Sequence, residues 1–209
     1  MKRTRWGLAA VLLAAAGGVS AQGVSVQVDD ERVRRSNDFV DKLLHLHEQA
    51  LAGRSWESSE RLGGYKDLPE FYREVTYRDA RSGRVLSRVQ RERAHPERVH
   101  GVEVYVYDGD GRLVRDYFAW YLPLYRNAPR QTHINLYTHA DDLRGWRQFD
   151  GSGLRVYEKC TAGEKVLVEY WDDEISRAED DPASVMHTPI YARCFAGLPE
   201  SVAAFELLD

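Results

Sequence analysis

Across residues 30–53, Val33, Val40, Leu43, Leu44, His47 and Leu51 recur at three- and four-residue spacing with charges between them. That period predicts one amphipathic helix. Asp29 or Asp30 can cap its start and Gly53 can end it. Residues 55–67 are polar and glycine-rich and read as a loop. From Glu70 onward the period changes to two. Phe71, Val75 and Tyr77 alternate with charged residues, as do Val102, Val104 and Val106, and then Val166, Val168 and Tyr170. Four turn signals punctuate the alternation: Arg81-Ser82-Gly83, Asp108-Gly109-Asp110-Gly111, Asp150-Gly151-Ser152-Gly153 and Thr161-Ala162-Gly163-Glu164. Each is flanked by strand-forming residues and reads as a hairpin. The expected fold is α+β: eight to ten strands in a large antiparallel meander, β-rich over 70–209, with one N-terminal helix. Parallel crossovers need intervening helices that this pattern does not supply.

Three of the turns share a grammar. Tyr77-Arg78-Asp79-Ala80-Arg81-Ser82-Gly83, Tyr107-Asp108-Gly109-Asp110-Gly111 and Phe149-Asp150-Gly151-Ser152-Gly153 each end a strand on an aromatic, open the turn with Asp and close it with Gly. This resembles the Tyr-Asp-x-x-Gly hairpins of MORN-like and YD-type repeat proteins, over about forty residues. The resemblance implies an open, curved sheet used for protein contacts or for neutralising a bacterial toxin. It carries over no catalytic residue.

Aromatic residues are densest between Arg112 and Arg126, at Tyr117, Phe118, Trp120, Tyr121 and Tyr125. A strand with aromatics on both faces reads first as a central strand covered on both sides. The alternative is a ligand-facing surface walled by Phe118, Trp120 and Tyr121. Pro123 ends or bends this strand, because it has no N–H for a ladder.

The first residues change the setting. Met1-Lys2-Arg3-Thr4-Arg5 is a basic segment, Trp6 to Ala16 an apolar one, and Val19-Ser20-Ala21 a small-x-small cleavage signal. Residues 1–21 therefore read as a cleavable leader, and residues 22–209 as one mature domain of the periplasm or the exterior. The apolar run is too short for a permanent span. The formal net charge is −4, and loss of Lys2, Arg3 and Arg5 with the leader takes it to −7. An acidic chain whose basic runs are interrupted does not suit nucleic acid or anionic lipid; a protein partner, basic if charged, suits it better.

An exported chain with two cysteines, Cys160 and Cys194, is expected to hold them as one disulfide that pins the C-terminal strand. The loop of about 34 residues makes it worth on the order of 4 kcal/mol. No Cys-x-x-Cys motif suggests redox work.

Candidate chemistry is sparse. His133, Asn135, Tyr137 and His139 alternate along one strand and place four hydrogen-bonding groups on one face, with Ile134 and Leu136 facing the core. Such a row suits a groove for a polar ligand or partner edge, and equally a solvent-facing strand. His133 and His139 stand about 20 Å apart on it, too far for one ion. His139, Asp141 and Asp142 are the one local group within ligand reach, and a hydrolase would be built around them. His95, His100 and His187 read as loop or strand-edge residues. The acidic run from Asp172 to Asp181 lacks the calcium-loop spacing and reads as a solvated loop ending at Pro182. No nucleophile elbow or phosphate loop occurs, and no motif calls for a metal or cofactor.

Three functions follow as expectations. The first is a non-enzymatic binding or interaction protein of the bacterial envelope. Its surface would be drawn from His133, Asn135, Tyr137, His139, Trp120 and Tyr121. The second is a carrier of an apolar ligand, and the third the hydrolase of His139, Asp141 and Asp142.

Overall fold

The chain runs through a long helix, a series of hairpins and a short helical close, and the first boundary falls near residue 55. The computed structural model describes residues 30–123 and 125–208. The expected leader and the Asp29 cap lie outside the described residues. Helix α1 spans Asp30–Leu51, and Phe39, Val40 and Leu43 form its buried stripe.

Nine strands follow: β1 Trp56–Tyr65, β2 Leu68–Asp79, β3 Val85–Glu92, β4 Val99–Tyr107, β5 Leu113–Trp120, β6 Gln131–Ala140, β7 Leu143–Asp150, β8 Arg155–Ala162 and β9 Lys165–Trp171. They form one sheet in sequence order, every pair antiparallel. The α+β meander is therefore as the alternation predicts.

All four expected turns connect adjacent strands, and Gly83, Gly111, Gly153 and Gly163 each take positive φ there. That backbone is strained for residues with a Cβ. In the three Asp-started turns the carboxylate organises the loop. Asp79 Oδ1 accepts from the backbone N–H of Arg81 and Ser82, Asp108 Oδ1 from Asp110 and Arg112, and Asp150 Oδ1 from Ser152 and Leu154. A register shift sits beside each turn.

Alternation divides the sheet into two faces. On the covered face, Val89, Val102, Val104, Tyr117, Ala119, Ile134, Leu136 and Phe149 pack against α1 and Phe205. Burying each large apolar side chain contributes about 1.5–3 kcal/mol. His47 on α1 also bonds Ser87 on β3 at 2.7 Å. Beyond α1, the same face is covered by α2 Asp172–Asp180, a 3₁₀ turn Val185–His187 and α3 Pro189–Cys194. Cys160 and Cys194 join β8 to α3 as a disulfide inside a second apolar cluster with Leu143, Val168 and Phe195. Between the two covers, the segment after α3 lies against the sheet. Leu208 N–H donates to Tyr117 at 3.0 Å, and Arg35 donates to the Ala204 carbonyl at 2.6 Å.

Three expectations are corrected. Residues 55–67 are not a loop: β1 runs through them, so the β-rich region begins at Trp56. As an edge strand exposed along most of its length, β1 needs no apolar alternation. Its glycines serve close approach, since a Cβ on Gly64 would lie 2.2 Å from the Leu68 carbonyl. The acidic run is not a solvated loop but helix α2. Asp172, Asp173 and Glu174 occupy its first turn, where the helix dipole favours negative charge. Glu174 accepts from the Trp171 N–H at 3.0 Å, and Ile175 and Ala178 face inward. Finally, the disulfide pins a helix, not a C-terminal strand, because Cys194 closes α3.

A buried ion pair ties the closing segment down. Arg147 and Glu158 are both fully buried, with Nε donating to Oε1 at 2.5 Å. Tyr191 donates to the other Glu158 oxygen at 2.6 Å, and Arg147 donates to the Pro199 carbonyl at 2.7 Å. The charges are thus paired and hydrogen-bonded, the condition on which buried ions are tolerated.

Candidate functional site

The other sheet face has no described helix over it. Strand register places Arg88, Glu103, Tyr105, Asp116, Phe118, Trp120, Asn135, Tyr137, Trp146 and Gln148 on it. Its smaller polar residues are nonetheless buried, because in a twisted sheet neighbouring side chains close over them. This is the candidate site.

Asp116 is its hub. Asn135, directly opposite on β6, donates to Oδ1 at 2.6 Å, and Tyr137 donates to Oδ2 at 2.7 Å. The Asn135 carbonyl oxygen accepts from Trp146 Nε1 at 3.0 Å and from Gln148 Nε2 at 2.8 Å. This fixes the amide orientation, since the indole only donates. Asp116 is 5% exposed. Burial pushes its carboxyl up to about 6, against the two hydrogen bonds and with the help of nearby Glu103. Burial and the adjacent carboxylate likewise raise Tyr137 above the usual phenol range. Beside this hub, Arg88 pairs with Glu103 at 3.0 Å and lies over the Tyr105 ring. A ligand reaches the half-buried Tyr137, Trp146 and Gln148 before it reaches the carboxyl. The arrangement is therefore suited to recognition through rings, amides and a rigid hydroxyl.

From Tyr137 an aromatic row crosses four strands: Tyr137 stacks on Trp146, Trp146 meets Tyr157 edge-on at 4.6 Å, and Tyr157 meets Trp171 at 4.4 Å. The row ends at the free edge of β9, where Trp171 is 59% exposed. Tyr157 and Lys159 both donate to Glu169 beneath it, at 2.6 and 3.1 Å.

At the opposite end of the face, His100 is fully buried among Tyr65, Phe71, Tyr72 and Trp120. It is a strand-interior residue, contrary to the loop or edge placement read from sequence. Its Nε2 accepts from Trp120 Nε1 at 2.6 Å and lies 2.8 Å from the Tyr65 hydroxyl. Because the indole can only donate, Nε2 is unprotonated and the ring is neutral with its proton on Nδ1. Burial, with Arg126 nearby, pushes this histidine down to about 4.

The residues singled out from sequence divide. His133, Asn135, Tyr137 and His139 do share one face, and Ile134 and Leu136 do lie in the core. Only Asn135 and Tyr137 join the Asp116 hub. His133 packs edge-on against Phe118, and His139 Nε2 is bound to the Leu113 carbonyl at 2.7 Å. Phe118 and Trp120 lie together on the open face. Tyr121 leaves the strand and is buried on the other side, bonding Asn37 of α1 at 2.6 Å. The three aromatics therefore do not form one ligand wall. β5 is likewise covered by a helix on one face, not two. Asp141 and Asp142 are exposed in the β6–β7 turn, where Asp141 pairs with Arg193 at 3.4 Å. Among the described residues, no cluster of His, Cys, Asp and Glu could hold a metal ion, so His139, Asp141 and Asp142 do not converge as a ligand set.

Asp116, Glu103, Trp146, Gln148 and Trp171 were not singled out from the sequence. Asp116 does stand in register with Phe118 and Trp120 along β5, a two-residue rhythm that marks one face. Its partners depend on cross-strand register. Comparison of the chain with protein-family models, curated proteins and solved structures finds no match.

Proposed function

We propose that the chain is an exported, non-enzymatic binding protein of the bacterial envelope that presents its open sheet face to a protein partner. The observation that carries this reading is the aromatic row from Tyr137 to the exposed Trp171, beside the Asp116 hydrogen-bond array, on a face that no described helix covers. Tyrosine and tryptophan flanked by polar groups are the side chains from which interface anchors are drawn. The acidic balance favours a basic partner. The leader-like start and the disulfide agree with export. No described helix is long and apolar enough to cross a membrane. The three Asp-started hairpins, with their resemblance to MORN-like and YD-type repeats, support a sheet used for contacts. The hydrolase reading has no comparable support, since His139 is spent on a backbone carbonyl.

Site-specific photo-crosslinking tests the proposal. A benzophenone amino acid placed at Tyr137 or Trp171 is expected to yield one adduct of defined mass in the producing cells. The same probe at Lys42, on the outer side of α1, is expected to yield none. Trp171→Ala should abolish the Tyr137 adduct, and raised salt should weaken it. Adducts from Lys42 alone, or none from the open face, would overturn the reading.

A further inference from the structure

Where β6 begins, the loop after β5, the β7–β8 turn and the first turns of α1 line an open cleft of about 890 Å³. That volume lies in the range of small-molecule sites. The cleft lies apart from the aromatic row, and its chemistry runs against the rest of the molecule. In a chain of net charge −4, its lining includes Arg32, Arg126 and Arg130, with Asp150 as its one carboxylate.

That carboxylate is engaged within its own turn, where Oδ1 takes the Ser152 hydroxyl at 2.7 Å and two backbone N–H groups. Arg126 is held in place: its guanidinium pairs with buried Glu92 at 2.5 Å, donates to the Val99 carbonyl at 3.0 Å and lies over the Tyr121 ring. Arg130 is anchored through its backbone, whose N–H donates to the Trp120 carbonyl at 2.7 Å, and its side chain is exposed. Thr132 supplies a further observation. It lines the cleft, is 7% exposed, and its buried hydroxyl has no hydrogen-bond partner. Buried hydroxyls are ordinarily satisfied. Val33, Leu122 and Phe205 give the cleft an apolar wall.

We propose that this cleft binds a small organic carboxylate with an apolar body. The Arg130 guanidinium takes the carboxylate, for which its planar fork is matched. The Thr132 hydroxyl completes its hydrogen bonding, and the Val33, Leu122 and Phe205 wall buries the remainder.

Fluorescence titration of the exported protein with 11-(dansylamino)undecanoic acid, and with its uncharged methyl ester, tests the assignment. The acid is expected to bind with a blue-shifted emission, at least about tenfold more tightly than the ester, as loss of a charged hydrogen bond implies. Arg130→Gln should weaken the acid about tenfold and the ester little. Thr132→Val, which preserves shape, should weaken the acid severalfold with thermal stability retained. Trp171→Ala on the open face should leave the titration unchanged, which separates this site from the partner surface. Equal binding of acid and ester, indifference to both cleft variants, sensitivity to Trp171→Ala, or no binding would each overturn the proposal.

Discussion

Tyr137 donates its hydroxyl to Asp116 at 2.7 Å, two residues beyond Asn135, the residue that Asp116 pairs with directly. Two good hydrogen bonds ordinarily hold a carboxyl below its usual range. Here burial outweighs them, and the group is pushed up to about 6. The open face therefore carries a strained charge near neutral pH, and the sign of its effect on stability is fixed.

In the unfolded chain this carboxyl ionises near pH 4, so between pH 4 and 6 the native state binds more protons than the unfolded one. Its stabilising contribution is full below pH 4 and is lost as pH rises through 6. Asp116→Asn removes the titration. Relative to the parent, the variant should gain on the order of 2–3 kcal/mol between pH 4 and pH 7. Urea midpoints at the two values check this, and a pH-independent difference would refute it.

His100 acts in the opposite direction. Its neutral form is the one built into the fold, and it is pushed down to about 4 from an ordinary value of 6.5. Its contribution is full above pH 6.5 and is lost as pH falls through 4. His100→Gln keeps an acceptor for Trp120 and should flatten this acid limb. The difference in thermal midpoint between parent and variant should therefore shrink from pH 7 to pH 4.

Arg147 and Glu158 are both fully buried, and removing Arg147 leaves Glu158 only the longer contact with Arg155, at 3.3 Å, as a cationic partner. Arg147→Ala should cost about 3–5 kcal/mol, whereas Arg147→Met with Glu158→Leu should cost much less. Denaturant unfolding of the single and double variants measures the difference. Equal losses would mean that the ion pair is not the unit that matters.

Cys160→Ser with Cys194→Ser should lower stability by about 4 kcal/mol, on the chain-entropy estimate for a 34-residue separation. The loss should be uneven. Hydrogen exchange should rise first in α3 and around Phe195, while β3 to β6 stay protected by their contacts with α1. Uniform deprotection would contradict the division of the core into two clusters.

Gly163→Ala and Gly153→Ala share a positive φ but not a neighbourhood. Nothing lies within 4 Å of a Cβ at Gly163, so its cost should be the backbone strain of about 1–2 kcal/mol. At Gly153 the added carbon would stand 2.1 Å from the Val202 carbonyl. That variant should lose distinctly more and free residues 202–208, which limited proteolysis would reveal.

The alternation of Val102, Val104 and Val106 and the four glycine turns made the meander legible, because period and turn chemistry are local. What escaped was set by neighbours. β1 is polar because it is an edge, and α2 looked like a loop because its acids stabilise a helix start that only packing of Ile175 and Ala178 completes. At the site, Asn135 and Tyr137 were visible as a polar row. Asp116 was not, since a carboxyl on β5 acquires its meaning from the register that sets it opposite Asn135. The cleft was invisible for the same reason: its arginines come from residues 32, 126 and 130.

The sequence-ordered sheet sets a schedule for folding. Each strand pairs only with its neighbours along the chain, so hairpins can zip up as short-range events without waiting for distant partners. The covered face closes differently: Arg35 meets Ala204 across a separation of 169 residues, and Leu208 meets Tyr117 across 91. A chain emerging from its N-terminal side can thus assemble most of its sheet and dock α1 early, while the part of the apolar face beside α1 stays open. Residues 198–208 are the latch, and until they arrive the molecule is a half-shut book.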